Sequence, residues 1–108
     1  MKTSSIPILG FAACLFAAGT AQATTDGAHL AQKSGCMACH GIDKKIIGPA
    51  FKDVANKYKD AKDVDLTLAR KIKDGTGGVW GPISMPGNGP RISNADIKIL
   101  ATWVLTIK

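Results

Sequence analysis

A chain of 108 residues has room for one small domain, and 14 basic against 8 acidic residues give it a formal charge of +6. The basic excess comes without an interleaved aromatic array, since the chain holds a single Tyr, and this argues against nucleic acid as a partner. Its three Cys are too few for a framework of several disulfides.

The first segment reads as an address rather than as fold. Lys2 supplies a positive start, residues 6–18 are mostly apolar, and Ala21-Gln22-Ala23 is an A-x-A cleavage site. Residues 1–23 are therefore expected to be a removed signal peptide, with residues 24–108 as the mature domain. The apolar stretch is too short for a stable transmembrane helix, so no membrane insertion is expected. Loss of Lys2 lowers the formal charge to +5. Phe11-Ala12-Ala13-Cys14 loosely resembles a lipoprotein cleavage site. Phe11 suits such a site poorly and the chain stays apolar beyond Cys14, so a lipid anchor at Cys14 is not the expected reading.

All elements of the mature segment read as helix. Asp26 is placed to cap a short first helix that runs through Lys33, with Gly35 ending it before Cys36. Cys36-Met37-Ala38-Cys39-His40 follows, a single C-x-x-C-H. That spacing is the attachment signature of c-type haem. Two thiols three residues apart reach the two vinyl groups of one haem edge, and the adjacent His lies under the iron as an axial ligand. Two alternatives share the C-x-x-C. A thioredoxin-type dithiol needs a strand–helix context, and no strand pattern surrounds the motif. A zinc site needs two more ligands, and the mature chain offers only His29 besides His40 and no third Cys. So small a core is marginal without a staple, a metal or a cofactor, and a covalent haem would complete it.

Gly48-Pro49 then breaks the chain and opens a second helix, where Phe51, Val54, Ala55 and Tyr58 fall at i, i+3, i+4, i+7. Asp63 is placed to cap a third helix carrying Leu68, Ala69 and Ile72 and ending at Gly75. Ser93 caps the last helix, with Asp96 three residues on, and its apolar stripe is Ile97, Leu100, Ala101, Val104 and Leu105. Trp103 is expected in the core or half-buried beside it.

Between the third and last helices, residues 75–92 carry six Gly and three Pro together with Trp80, Ile83 and Met85. A loop of this length in so small a domain is functional or disordered. Gly permits close backbone approach to a flat ligand and Pro fixes the path. Met85 is the candidate ligand on this strap, although a lone Met is more often core filler. Met37 is tied between the two cysteines and cannot reach the other haem face, Met1 leaves with the leader, and His29 reads as a surface residue. Met85 remains as the ligand opposite His40.

The residues Cys36 to His40, Gly48-Pro49-Ala50 and Trp80-Gly81-Pro82-Ile83-Ser84-Met85-Pro86 together resemble the small bacterial class I cytochromes c. The likeness is nearest to the cytochrome c-551 (cytochrome c8) family and covers essentially the whole mature chain. It implies an all-α fold of four to five short helices wrapped around one haem. It also implies thioethers at Cys36 and Cys39, iron ligation by His40 and Met85, and a Pro49 carbonyl accepting the His40 ring N–H. Asn88 would donate to the Met85 sulfur or its surroundings. Trp80 would hydrogen-bond a propionate, or simply pack against the ring. Lys71, with Arg70 as the alternative, would place a positive charge near that propionate, or stand solvated on its helix. One departure is visible: Ala31 sits where related chains often carry an aromatic, which bears on how closely the first and last helices pack.

Saturated coordination leaves no open position for a substrate, so the expectation is an electron carrier and not an enzyme. Thioether ligation raises the potential. The resemblance implies a soluble, monomeric periplasmic shuttle in a respiratory chain or in denitrification. Its donor would be a bc-type complex and its acceptor a haem nitrite reductase or terminal oxidase. Docking is expected at the thioether edge near Cys36 and Met37, with lysines steering an acidic partner. The competing expectation is a gas-sensing or peroxidase-like haem protein with a displaceable Met85.

Overall fold

The computed structural model describes residues 5, 7, 10–15 and 26–108. The expected cleavage site and most of the expected signal peptide lie outside the described residues, while Cys14 is among them, exposed and free. No described helix is long and apolar enough to cross a membrane.

Four α-helices and one 3-10 turn follow in order: α1 Gly27–Lys33, the turn Cys36–Ala38, α2 Phe51–Tyr58, α3 Val64–Asp74 and α4 Asn94–Leu105. Two isolated backbone bridges, His40 with Lys45 and Thr76 with Met85, are the only strand-like pairings among the described residues. Side-chain oxygens that take up otherwise unpaired N–H groups fix two helix starts. Asp26 accepts from the Ala28 N–H at 3.0 Å, and Ser93 accepts from the Asp96 N–H at 3.1 Å. Asp63 does occupy the residue before α3, but it makes no side-chain cap. It sits in the left-handed region (φ 51°, ψ 37°), so its contribution is a sharp backbone turn into the helix. Asp is one of the few residues that adopts this region with little penalty.

The core forms around α4, which touches all three other helices. Ile97, Leu100, Ala101 and Val104 are its buried face, as the i, i+3, i+4, i+7 spacing requires. Each fully buried Leu or Ile of this kind contributes roughly 1.5–3 kcal/mol. Leu30, Ala31 and Ile92 close one end of the core, and Phe51, Val54 and Leu68 the other. Ala31 is completely buried. Gly27 lies so close to the Trp103 side chain that a Cβ there would collide with it. Small residues on α1 therefore let the first and last helices approach closely where a bulky aromatic would hold them apart. Trp103 itself is half-buried and meets Phe51 edge-on, with ring centroids 5.3 Å apart.

Candidate functional site

One cavity of about 260 Å³ opens at the centre of the domain. Every helix contributes to its wall except α1, and the strap between α3 and α4 supplies much of the rest. Its walls are largely apolar, with Phe51, Val54, Leu68, Ile72, Leu100 and Val104 among them. Cys36, Cys39, His40, Pro49, Lys71, Trp80, Met85 and Asn88 all line it. The structure thus gathers these residues, spread over more than fifty positions of sequence, around one space. Arg70 is exposed and faces a separate groove between α3 and α4, so Lys71 is the cation of this pair that reaches the cavity. His29 is exposed on α1.

The segment after the cysteines holds His40 tightly. The ring is buried, with Nδ1 2.7 Å from the Pro49 carbonyl oxygen. A carbonyl only accepts, so Nδ1 carries the proton and Nε2 keeps a free lone pair. Such a hydrogen bond fixes the orientation of an imidazole and raises its basicity as a ligand. Phe51 stacks on the ring at 4.9 Å between centroids, tilted 17°. Gly48 passes so close that a Cβ there would stand 2.6 Å from His40 Cε1. Phe51 and Gly48 therefore position His40 by contact. Their place in the Gly48-Pro49-Ala50-Phe51 break is visible in sequence, but their contact with His40 is not.

Cys36 and Cys39 are half-buried on the cavity wall and form no disulfide. Burial pushes the Cys36 thiol above its ordinary value, against a smaller opposing pull from its own backbone N–H and from the charge of Arg91. Met37, between them, is partly buried and packs against both parts of the core.

On the strap, Met85 exchanges backbone hydrogen bonds with Thr76, at 2.8 and 3.1 Å. Gly75 makes this pairing feasible. It ends α3 with φ 83°, and a Cβ there would stand 2.6 Å from the Met85 carbonyl oxygen. Lys71 Nζ is 3.4 Å from Thr76 Oγ1. Trp80 is partly exposed at the tip of the strap, with Lys57 Nζ of α2 5.5 Å from its ring centroid. Asn88 is buried, and its amide donates to the carbonyls of Ile72 and Pro86, both at 3.2 Å. Both amide hydrogens are thus engaged with backbone oxygens next to Met85 and on α3. Arg91, which the sequence reading passed over, also lines the cavity and donates to Asn88 Oδ1.

The donor set suits a covalently held haem. Two unpaired thiols, an oriented imidazole with a free Nε2 and a thioether share one apolar cavity. Among the described residues no three His, Cys, Asp or Glu side chains converge on a common point, which leaves the zinc alternative without ligands.

The chain is similar to known proteins over most of its length. Residues 24–108 match the family model described as cytochrome c. Over its full 108 residues the chain is 52% identical to cytochrome c-552 of Nitrosomonas europaea, covering all of that protein. It is 48% identical over 79 residues to cytochrome c-551 of Pseudomonas aeruginosa, which spans 73% of this chain and 74% of that one. The crystal structure of wild-type Nitrosomonas europaea cytochrome c552 superposes with a TM-score of 0.72 at 53% identity, covering 75% of this chain and 99% of that one. A class 1 cytochrome of Sideroxydans lithotrophicus gives a TM-score of 0.64 at 27% identity, over 76% and 92% of the two chains.

The all-α fold and the thiol–imidazole site define a class I cytochrome c, and the chain belongs to the cytochrome c family. It is a small monohaem electron-transfer cytochrome, similar to cytochromes c-551 and c-552, with haem c held covalently through Cys36 and Cys39.

Proposed function

We propose that this protein is a soluble periplasmic shuttle whose haem iron is ligated by His40 and Met85 and which passes single electrons between redox proteins without catalysing a reaction of its own. When bound, haem supplies the Fe(III)/Fe(II) couple. The observation that carries the reading is the pairing of two side chains on one cavity. His40 has its Nδ1 proton committed to Pro49, which frees Nε2. Met85 is fixed by its two backbone bonds to Thr76. His40 and Met85 would together hold the iron and leave no coordination site for a substrate. The largely apolar wall would limit reorganisation between the two charge states.

The remaining cavity residues divide by charge and position. Lys71, bonded to Thr76, would supply a cation to a propionate, and Trp80 would offer it an indole N–H from the strap. Asn88 keeps the backbone after Met85 in place through Pro86. Residues 1–23 direct export and are removed. Reduced protein mixed with CO at neutral pH tests the ligation: no rapid spectral change is expected, and a rapid one would contradict a saturated iron.

Docking takes place at the thioether edge near Cys36 and Met37. Beside Cys39, to whose carbonyl Ile47 donates, half-exposed Ile46 and Ile47 follow Lys44 and Lys45, an apolar contact framed by positive charge. The partners that suit such a surface are an acidic bc-type donor and a haem nitrite reductase or terminal oxidase as acceptor. Their reaction with this protein should slow steeply as salt is raised past about 0.1 M, where the screening length falls to about 10 Å. A flat salt profile would remove the steering.

A further inference from the structure

Asn88 is the most heavily bonded residue of the strap, and all but one of its bonds run to backbone. Its N–H donates to Ile72 O at 3.0 Å, and its carbonyl accepts from Arg91 N and Ile92 N at 3.0 and 2.9 Å. Its amide hydrogens go to Ile72 O and Pro86 O. The exception is Oδ1, which accepts from the guanidinium of Arg91 at 2.5 Å. A primary amide can turn over and exchange its oxygen for its nitrogen. In the turned position Oδ1 would face two carbonyl oxygens, and the bonds to Ile72 of α3 and to Pro86 of the strap would both be lost. A guanidinium has only donors, so Arg91 beside Oδ1 permits one orientation and forbids the other.

We propose that Arg91 is a positioning residue for the distal ligand: it locks the Asn88 amide so that Asn88 holds Pro86, and with it Met85, against the cavity. Arg91 lies three residues beyond Asn88, in the turn before α4, and its backbone N–H returns to the Asn88 carbonyl. Its side chain also lines the cavity, close enough to Cys36 for its charge to act on that thiol. It would therefore contribute a second effect, a positive charge at the cavity that favours Fe(II) over Fe(III). Lys71 holds the corresponding place on the Thr76 side. Arg91 is exposed to solvent, so this electrostatic effect is screened by salt, whereas the orienting effect is not. The proposal rests on Met85 being an iron ligand.

The test titrates imidazole into the oxidised holoprotein, where imidazole competes with Met85, and records the reduction potential alongside. A charge-assisted hydrogen bond from a partly exposed Arg predicts about five- to tenfold tighter imidazole binding in Arg91→Met. Arg91→Lys, which retains a cationic donor, should return to within about twofold of the wild type. The potential of Arg91→Met should fall, and fall more at low salt than at high salt. In an Asn88→Ala background the Arg91→Met substitution should change the imidazole affinity no further, because its effect passes through Asn88. Wild-type affinity in Arg91→Met would overturn the proposal, as would an undiminished effect in the Asn88→Ala background or Arg91→Lys as loose as Arg91→Met. Failure of the ligation reading looks different. The oxidised wild type would then lack the charge-transfer band of an Fe(III)–thioether bond before any imidazole is added.

Discussion

From residue 39 to residue 52 the backbone is tied closely to itself. Ile47 and Gly48 both donate to the Cys39 carbonyl, Phe51 donates to Gly41 and Lys52 to Ile42. From residue 77 to residue 84, among the described residues, no backbone hydrogen bond is made outside the helices. That stretch is exposed throughout, and it is held at its base by the Thr76–Met85 pair and at its tip by Lys57 against Trp80. The imidazole side of the cavity is therefore built by short-range bonding within one segment. The thioether side is a loop fixed at its ends, by α3 through Gly75 and by the Asn88 turn. The proposed carrier needs His40 and Met85 in place in both oxidation states, yet only His40 sits on an inherently ordered segment. The strap depends on its anchors.

Substitutions should separate the two sides. The largest effect is expected from Cys36→Ala with Cys39→Ala. The apolar cavity is continuous with a core that is small for a free-standing domain, so this variant should lose covalent haem and cooperative folding together. Intact mass and thermal denaturation read both, and a haem-free variant that melts as sharply as the wild type would break the account of the core. A smaller effect is expected from Gly48→Ala, whose added Cβ meets His40 Cε1 at 2.6 Å. Overpacking of this kind costs about 1–3 kcal/mol. In a domain of this size each kcal/mol lowers Tm by about 4–8 °C. An unchanged Tm would mean that the imidazole side is less rigid than its bonding suggests.

Much of the frame was legible in the sequence, because it depends on neighbours in the chain. Asp26 and Ser93 cap the helices that they precede, and the spacing of Phe51, Val54 and Ala55 gives the buried face of α2. The C-x-x-C-H motif named the cofactor for the same reason. What stayed hidden depends on backbone angles and on which side chains meet. Asp63 resembles an N-cap residue by type, but its left-handed backbone turns it to a different use. The small Ala31 raised a question about the first and last helices, and only Gly27 against Trp103 shows how closely they come. Arg91 reads as one more surface cation until its guanidinium is found on Asn88 Oδ1. Hydrophobic periodicity gives no signal for any of these, since they are a backbone angle, a contact between the first and last helices, and a polar bond within one turn.

The proposed ligation would have the strap deliver Met85 to the iron that His40 holds. Its most direct test is the electronic spectrum of the oxidised protein, wild type beside Met85→Ala. The wild type is expected to show the thioether-to-iron charge-transfer band. In the variant that band should be absent and the potential lower, by a sizeable part of the about 0.8 V range over which axial ligands act. A variant with the wild-type spectrum and potential would mean that another residue closes the second face, and the account of the strap would be wrong.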